Sequence, residues 1–295
     1  MYRDRRSRTS SYQSSIPWQR TADAVNGRRA GKILLRAGLL VAAAVLLLGG
    51  GIVMVSWRRG EPHSPAKGSG QTASQTNGTG AGATSQPAGF NKQQYSLTDA
   101  SSLWVVVNKK RPLNPLQYAP AHLVVPDIPL RSNITGDERQ VSSVMAPALE
   151  TMVRAASTEG VHLNLQSGYR SYAFQTNLFN SYVQQSGLAA AEQASARPGH
   201  SEHQTGLAAD LGGTSQPACN VAACFADTVE GKWLVVNAYK YGFIIRYPAD
   251  KVAVTGYEYE PWHVRYIGTA LSTEMHDQGV ETLEEFFGLG AAPSY

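Results

Sequence analysis

The sequence predicts an α+β fold preceded by one transmembrane helix, and three observations carry that prediction. Helical and strand-like segments mix after residue 100 without a regular βαβ rhythm, which disfavours a doubly wound parallel sheet. An uncharged run of 21 residues, Ala37–Trp57, stands near the N-terminus. The charge is also divided: residues 1–59 hold 11 Lys+Arg against 2 acids, and residues 60–295 hold 15 against 20. The net +4 of the 295-residue chain is therefore a +9 segment joined to a −5 body. A basic tail on an acidic body argues against a nucleic-acid-binding protein, which would present a basic face. A hydrophobic fraction of 42% argues against wholesale disorder.

The first element is the membrane span. At ~1.5 Å per residue, Ala37–Trp57 reaches about 30 Å, the thickness of a hydrocarbon core. Nine Lys/Arg precede it, including Arg28, Arg29, Lys32 and Arg36, which places residues 1–36 in the cytoplasm as a basic tail and the rest of the chain outside. A cleaved signal peptide would have a shorter apolar core and a small-residue cleavage site, so an uncleaved single-pass anchor in the cell membrane is the expectation. Residues 58–91 are rich in Gly, Ser, Thr and Pro and nearly free of large apolar side chains, the composition of a flexible linker. Residues 92–295 suit one compact extracytoplasmic domain.

Within that domain Ser102–Asn108 is a short β-prone run, and Pro112, Pro115 and Pro120 favour an extended arm after it. Val141–Ser157 carries Val144, Met145, Leu149, Met152 and Val153 at helical spacing, closed by Gly160. Val161–Gln166 alternates as a strand, and Ser171–Gln185 places Phe174, Leu178, Phe179 and Tyr182 on one helical stripe. Gly206–Leu211, Phe243–Arg246 and Trp262–Tyr266 read as short strands; Lys232–Tyr241 and Thr269–Gln278 read as helices. Cys219 and Cys224 are separated by four residues in a loop on the oxidising side of the membrane. With no further soft ligands nearby, a disulfide is favoured over a zinc pair.

Chemistry concentrates in Ser201-Glu202-His203-Gln204-Thr205-Gly206-Leu207-Ala208-Ala209-Asp210, joined 50 residues later by Glu260-Pro261-Trp262-His263. Two imidazoles and one carboxylate form the ligand set of a catalytic zinc that keeps a position open for water. The odd offset between His203 and Asp210 would send them to opposite faces of one regular strand. Gly206 offers a bend that would bring them together, and His263 would close the site from a second strand. Glu260, three residues before it across a proline, is a candidate general base. His63, His122, His162 and His276 lack partners at useful spacing and read as structural or surface residues; His200 reads as a neighbour of the pocket. On spacing alone the His203–Asp210–His263 set stands level with a structural reading, since no His-Glu-x-x-His helix anchors it.

The motif Ser201-x-His203-x-x-Gly206-x-Ala208-x-Asp210 with Glu260-x-x-His263 resembles the signature of the LAS metallopeptidases. Within that group the chain is similar to the D-alanyl-D-alanine carboxypeptidases of the vancomycin-resistance type. Ser167–Ser171, Ser195–Gly199, Tyr241–Pro248 and Thr255–Tyr257 look like further family landmarks, in order, over roughly residues 102–287. The resemblance implies a small central antiparallel sheet with flanking helices around a single zinc site, a LAS/hedgehog-like fold. It implies that His203, Asp210 and His263 bind one Zn2+ per chain and that Glu260 is the catalytic acid/base. It also implies that Arg170 stabilises developing charge or holds substrate, and that Gln175 and Ser201 contact a terminal D-alanine. The implied substrates are peptidoglycan stem peptides. An L,D-carboxypeptidase acting on tetrapeptide stems, or a D,D-dipeptidase, shares the same chemistry and stays open. A non-catalytic wall-binding module would be expected to have lost a ligand or the acid/base, and all four residues are present.

Overall fold

The computed structural model describes residues 89–295. The basic tail, the span Ala37–Trp57 and all but the last three residues of the linker lie outside the described residues. Among the described residues no helix is long and apolar enough to cross a membrane.

A short ribbon comes first: β1 (Leu123–Val124) pairs antiparallel with β2 (Val141–Ser142). Helix α1 (Ala146–Thr158) starts five residues later than the periodicity predicts, because Val141 and Ser142 are taken by that ribbon. Pro147 then falls in the first turn, where a missing N–H costs nothing. The buried face of α1 carries Leu149, Met152, Val153 and Ala156, and Gly160 beyond its end adopts φ +77°. Strand β3 (Leu163–Ser167) leads into α2 (Tyr172–Ser186), whose N-cap Ser171 accepts a hydrogen bond from the Phe174 N–H at 3.3 Å. Gly187 ends α2 and begins α3 (Leu188–Ala194), an alanine-rich helix absent from the sequence reading. After β4 (Ala208–Gly213) comes α4 (Val229–Asn237), capped by Thr228. It begins three residues before the predicted Lys232, and the predicted last turn, Ala238–Tyr241, is tightened into a 3₁₀ turn. Strand β5 (Phe243–Tyr247), α5 (Val252–Thr255), β6 (Glu260–Tyr266), α6 (Thr269–Asp277) and α7 (Leu283–Phe286) complete the domain.

Four strands form one antiparallel sheet in the order β3-β4-β6-β5, the small sheet with flanking helices that an α+β reading requires. One face is apolar: Leu163, Leu165, Ala209, Leu211 and Val264 join Leu149 and Met152 of α1 and Leu234 of α4 in the main core. Asp210 and His263 alternate with those residues and so occupy the other face of the two central strands.

Ser102–Asn108 is not a strand of either sheet. Its side chains do alternate, but into two separate clusters: Trp104 and Val106 pack with Ile267, Leu271 and Phe286, while Val105 and Val107 pack with Ala100 and Leu113. The carbonyls of Leu103 and Val105 are satisfied by the buried Arg265 guanidinium at 3.0 and 2.9 Å, a role a neighbouring strand would otherwise fill.

Candidate metal centre

The centre is built from three chain segments. The first is the turn after β3, where Gly168 packs too tightly against Gln140 to admit a side chain. Its carbonyl accepts a hydrogen bond of 2.7 Å from His203 Nδ1. With the proton on Nδ1, the lone pair of His203 Nε2 points away from that contact. The second segment is a 3₁₀ turn, Glu202–Thr205, closed by Gly206 at φ +69°, ψ 7°. This left-handed cap lets the chain turn into β4 and removes the phase problem between His203 and Asp210. The third is β6, in which His263 is the direct register partner of Asp210. Between Ile245 and Tyr247 of β5 the register with β6 slips from Val264 to Glu260, and Glu260 lies beside His263.

His203, Asp210 and His263 are all buried, and one ligand atom from each lies within 4.8 Å of the others. Asp210 Oδ1 is 3.3 Å from His203 Nε2 and 3.3 Å from His263 Nδ1, and the two imidazole planes are nearly perpendicular at 87°. These same three atoms are buried and make no hydrogen bond with the protein. Buried polar atoms are normally paired, so three unpaired atoms converging on one point fit a shared cation. Burial, reinforced by Arg170, pushes His203 down to about 4, so its ring is neutral at physiological pH. Burial opposes charge on His263 too, but Asp210, Glu202 and Glu260 overcome it and hold that imidazole well above its ordinary range. The surroundings thus oppose charge on His203 and favour it on His263.

Glu260 Oε2 lies 3.4 Å from His263 Nδ1, and burial raises its carboxyl above the ordinary range although His263 opposes the shift. Arg170 reaches Asp210 Oδ2 and Gln175 Oε1, both at 3.3 Å. Gln175 is fully buried, and its amide donates to Ser195 Oγ at 3.1 Å and to the Ala196 carbonyl at 2.8 Å. It therefore braces Arg170 against the segment that follows α3. Ser201 lines the same cleft of about 450 Å³, along with Arg170, Gln175, Tyr182 and Tyr259. His200 instead turns to the Asn108 carbonyl at 2.9 Å and the Tyr295 ring, and does not line the cleft.

Glu202 is the residue sequence reasoning passed over. It is buried, with Oε1 accepting from Arg246 Nε at 2.8 Å and Arg265 Nη1 at 2.9 Å. Its Oε2 has no hydrogen-bond partner and faces His263 Nε2 at 3.7 Å. A carboxylate there holds the imidazole with Nε2 toward Glu202 and Nδ1 toward Asp210. The only signal was adjacency to His203.

A water-accessible cleft floored by two imidazoles, a carboxylate, a half-buried acid and a guanidinium holds the groups that a mononuclear metallopeptidase needs. The model of the VanY family, described as D-alanyl-D-alanine carboxypeptidase, matches residues 138–269. The chain is 43% identical over 192 residues to the putative carboxypeptidase YodJ of Bacillus subtilis (strain 168), covering 65% of this chain and 69% of that protein. Among solved structures it is similar to the LdcB LD-carboxypeptidase, at 43% identity and TM-score 0.60 over 64% of this chain and 87% of that one. It is also similar to a glutamate-to-alanine mutant of the vancomycin-resistance D,D-pentapeptidase VanY from a VanB-type cassette, in complex with Zn(II). Identity there is 32% and the TM-score 0.51, over 64% of this chain and 99% of that one. The chain belongs to the VanY family of D-alanyl-D-alanine carboxypeptidases.

Proposed function

We propose that the protein is a zinc-dependent D,D-carboxypeptidase that removes the C-terminal D-alanine of peptidoglycan stem peptides. The observation that carries this reading is the convergence of His203 Nε2, Asp210 Oδ1 and His263 Nδ1 without hydrogen-bond partners. A ligand set of two imidazoles and one carboxylate suits zinc. Those three residues would hold the ion, which when bound supplies Lewis acidity and lowers the pKa of a coordinated water toward about 7.

The chain's own groups account for the rest. Glu260, with its proton affinity raised by burial, takes the proton of the attacking water and later returns it to the leaving D-alanine amine. Arg170, held by Gln175 and Asp210, presents its guanidinium to the substrate carboxylate or to the developing oxyanion. Ser201 contacts the terminal D-alanine from the cleft wall. The Glu260→Ala protein tests this assignment: zinc content should equal that of the wild type while D-alanine release falls by about 10²–10⁴-fold. Release at the wild-type rate would overturn it.

The run Ala37–Trp57 would anchor the enzyme in the cell membrane with its N-terminus cytoplasmic, and residues 58–91 would let the domain reach nearby wall. Protease added to intact cells should then remove the domain and spare residues 1–36. A second reading, L,D-carboxypeptidase activity on tetrapeptide stems, is favoured by the higher identity and TM-score to LdcB than to VanY. Incubation with pentapeptide and tetrapeptide stems, with products read by mass, separates the two.

A further inference from the structure

We propose that Val221, at the tip of the loop closed by the disulfide between Cys219 and Cys224, is a specificity-determining residue of the substrate cleft. The inference rests on the peptidase reading above. Cys219–Ala222 form a type II turn: Asn220 has φ −60° and ψ 129°, Val221 has φ +56°, and the Ala222 N–H donates to the Cys219 carbonyl at 3.1 Å. The third position of that turn calls for glycine, and a β-branched residue is the least suited to it. The chain nonetheless places valine there, half-buried, on the wall of the cleft that holds the metal ligands.

The surroundings hold this conformation in place. The disulfide closes the loop at its base. The Asn220 side chain clamps the loop to the end of β4, accepting from the Gly213 N–H at 2.9 Å and donating to the Gly213 carbonyl at 3.1 Å. A side chain at Gly212 would collide with Asn220 and with Gln166. Gly212 lies two strand positions past Asp210, about 7 Å. The loop therefore delivers an apolar side chain close to the metal ligands, at a backbone position where glycine would fold more readily. A side chain kept against local preference on the wall of the cleft points to function. Val221 narrows the cleft around a residue flanking the scissile bond and favours the methyl group of alanine there.

The test uses the zinc-loaded protein, a pentapeptide stem ending in D-Ala-D-Ala, and two analogues carrying D-Leu at the last or the penultimate position. V221G should leave the melting temperature level or raise it, because glycine is at home at that φ. The kcat/KM preference for D-Ala over D-Leu should fall by at least about 10-fold at one of the two positions. Releasing the loop with the paired C219S and C224S substitutions should shift the same preference in the same direction. An active V221G protein with both preferences unchanged would remove the role of Val221 while leaving the peptidase assignment intact. Should V221G fail to fold, V221A reads the same preferences. No release of D-alanine by the wild type from either a pentapeptide or a tetrapeptide stem would overturn the peptidase reading and this proposal together.

Discussion

Two buried polar groups lie side by side under the cleft, and they are satisfied in opposite ways. In the first, Arg246 donates to Glu202 at 2.8 Å and to both oxygens of Glu284 at 2.8 and 2.9 Å. Arg265 donates to Glu202 at 2.9 Å, and Asn108 donates to Glu284 at 2.8 Å. In the second, His203 Nε2, Asp210 Oδ1 and His263 Nδ1 approach one another and make no hydrogen bond. Equal burial with unequal pairing separates groups that hold the fold from groups kept for a ligand. Glu202 belongs to both, with one oxygen in the arginine network and the other facing His263.

The comparison breaks if variants in the two groups fail in the same way. The largest functional effect is expected from His203→Ala. Zinc affinity should drop by more than the 10–100-fold typical of losing an outer-sphere partner, while circular dichroism of the metal-free domain still reports a folded protein. Metal titration with a chromophoric chelator measures the first and thermal melting the second. Unchanged zinc content would remove His203 from the ligand set.

Arg246→Met should do the reverse. It takes from the buried Glu284 its charged partner and from Glu202 one of its two arginines, and removing one partner of a buried pair costs about 3–5 kcal/mol. At roughly 2–4 °C per kcal/mol for a domain of this size, the melting temperature should fall by about 6–20 °C. A melting temperature within a degree or two of wild type would mean the network contributes little.

Glu202→Gln sharpens the boundary between the groups. A glutamine keeps the shape but offers less negative charge to His263 Nε2, so zinc affinity should weaken by about 10–100-fold in a protein that still folds. An affinity equal to that of the wild type would confine Glu202 to the arginine network.

Much of this division was legible in the sequence, and the exceptions have physical reasons. His203, Asp210, Glu260 and His263 stand in a spaced motif, and Gly206 announced the bend that joins them. Glu202 was not legible, because a glutamate beside a ligand reads as solvated until two strands bring Arg246 and Arg265 onto it. Each arginine taken alone is an ordinary charged residue, and its burial is a property of the sheet. The helix Leu188–Ala194 was missed because its alanines carry no apolar stripe, and Ser102–Asn108 misled because its alternation serves two clusters rather than a sheet. The positive φ of Val221 had no sequence signal at all, since valine is the wrong residue to predict it from.

The smallest effect tests the satisfied group by pH. Burial acts to raise the Glu284 carboxyl, but Arg246 and Asn108 outweigh it and hold it below its ordinary 4.5. A carboxyl depressed in the folded state binds protons more readily when the chain is unfolded. Its contribution to stability is therefore complete above about pH 4.5 and is lost as the pH falls through the lower folded value. Glu284→Gln removes that contribution at every pH. The gap in melting temperature between wild type and Glu284→Gln should be widest near pH 7 and should narrow steadily between about pH 5 and pH 3. A gap that stayed constant over that range would mean the carboxylate's charge is not what stabilises the network, and that its shape and neutral hydrogen bonds suffice.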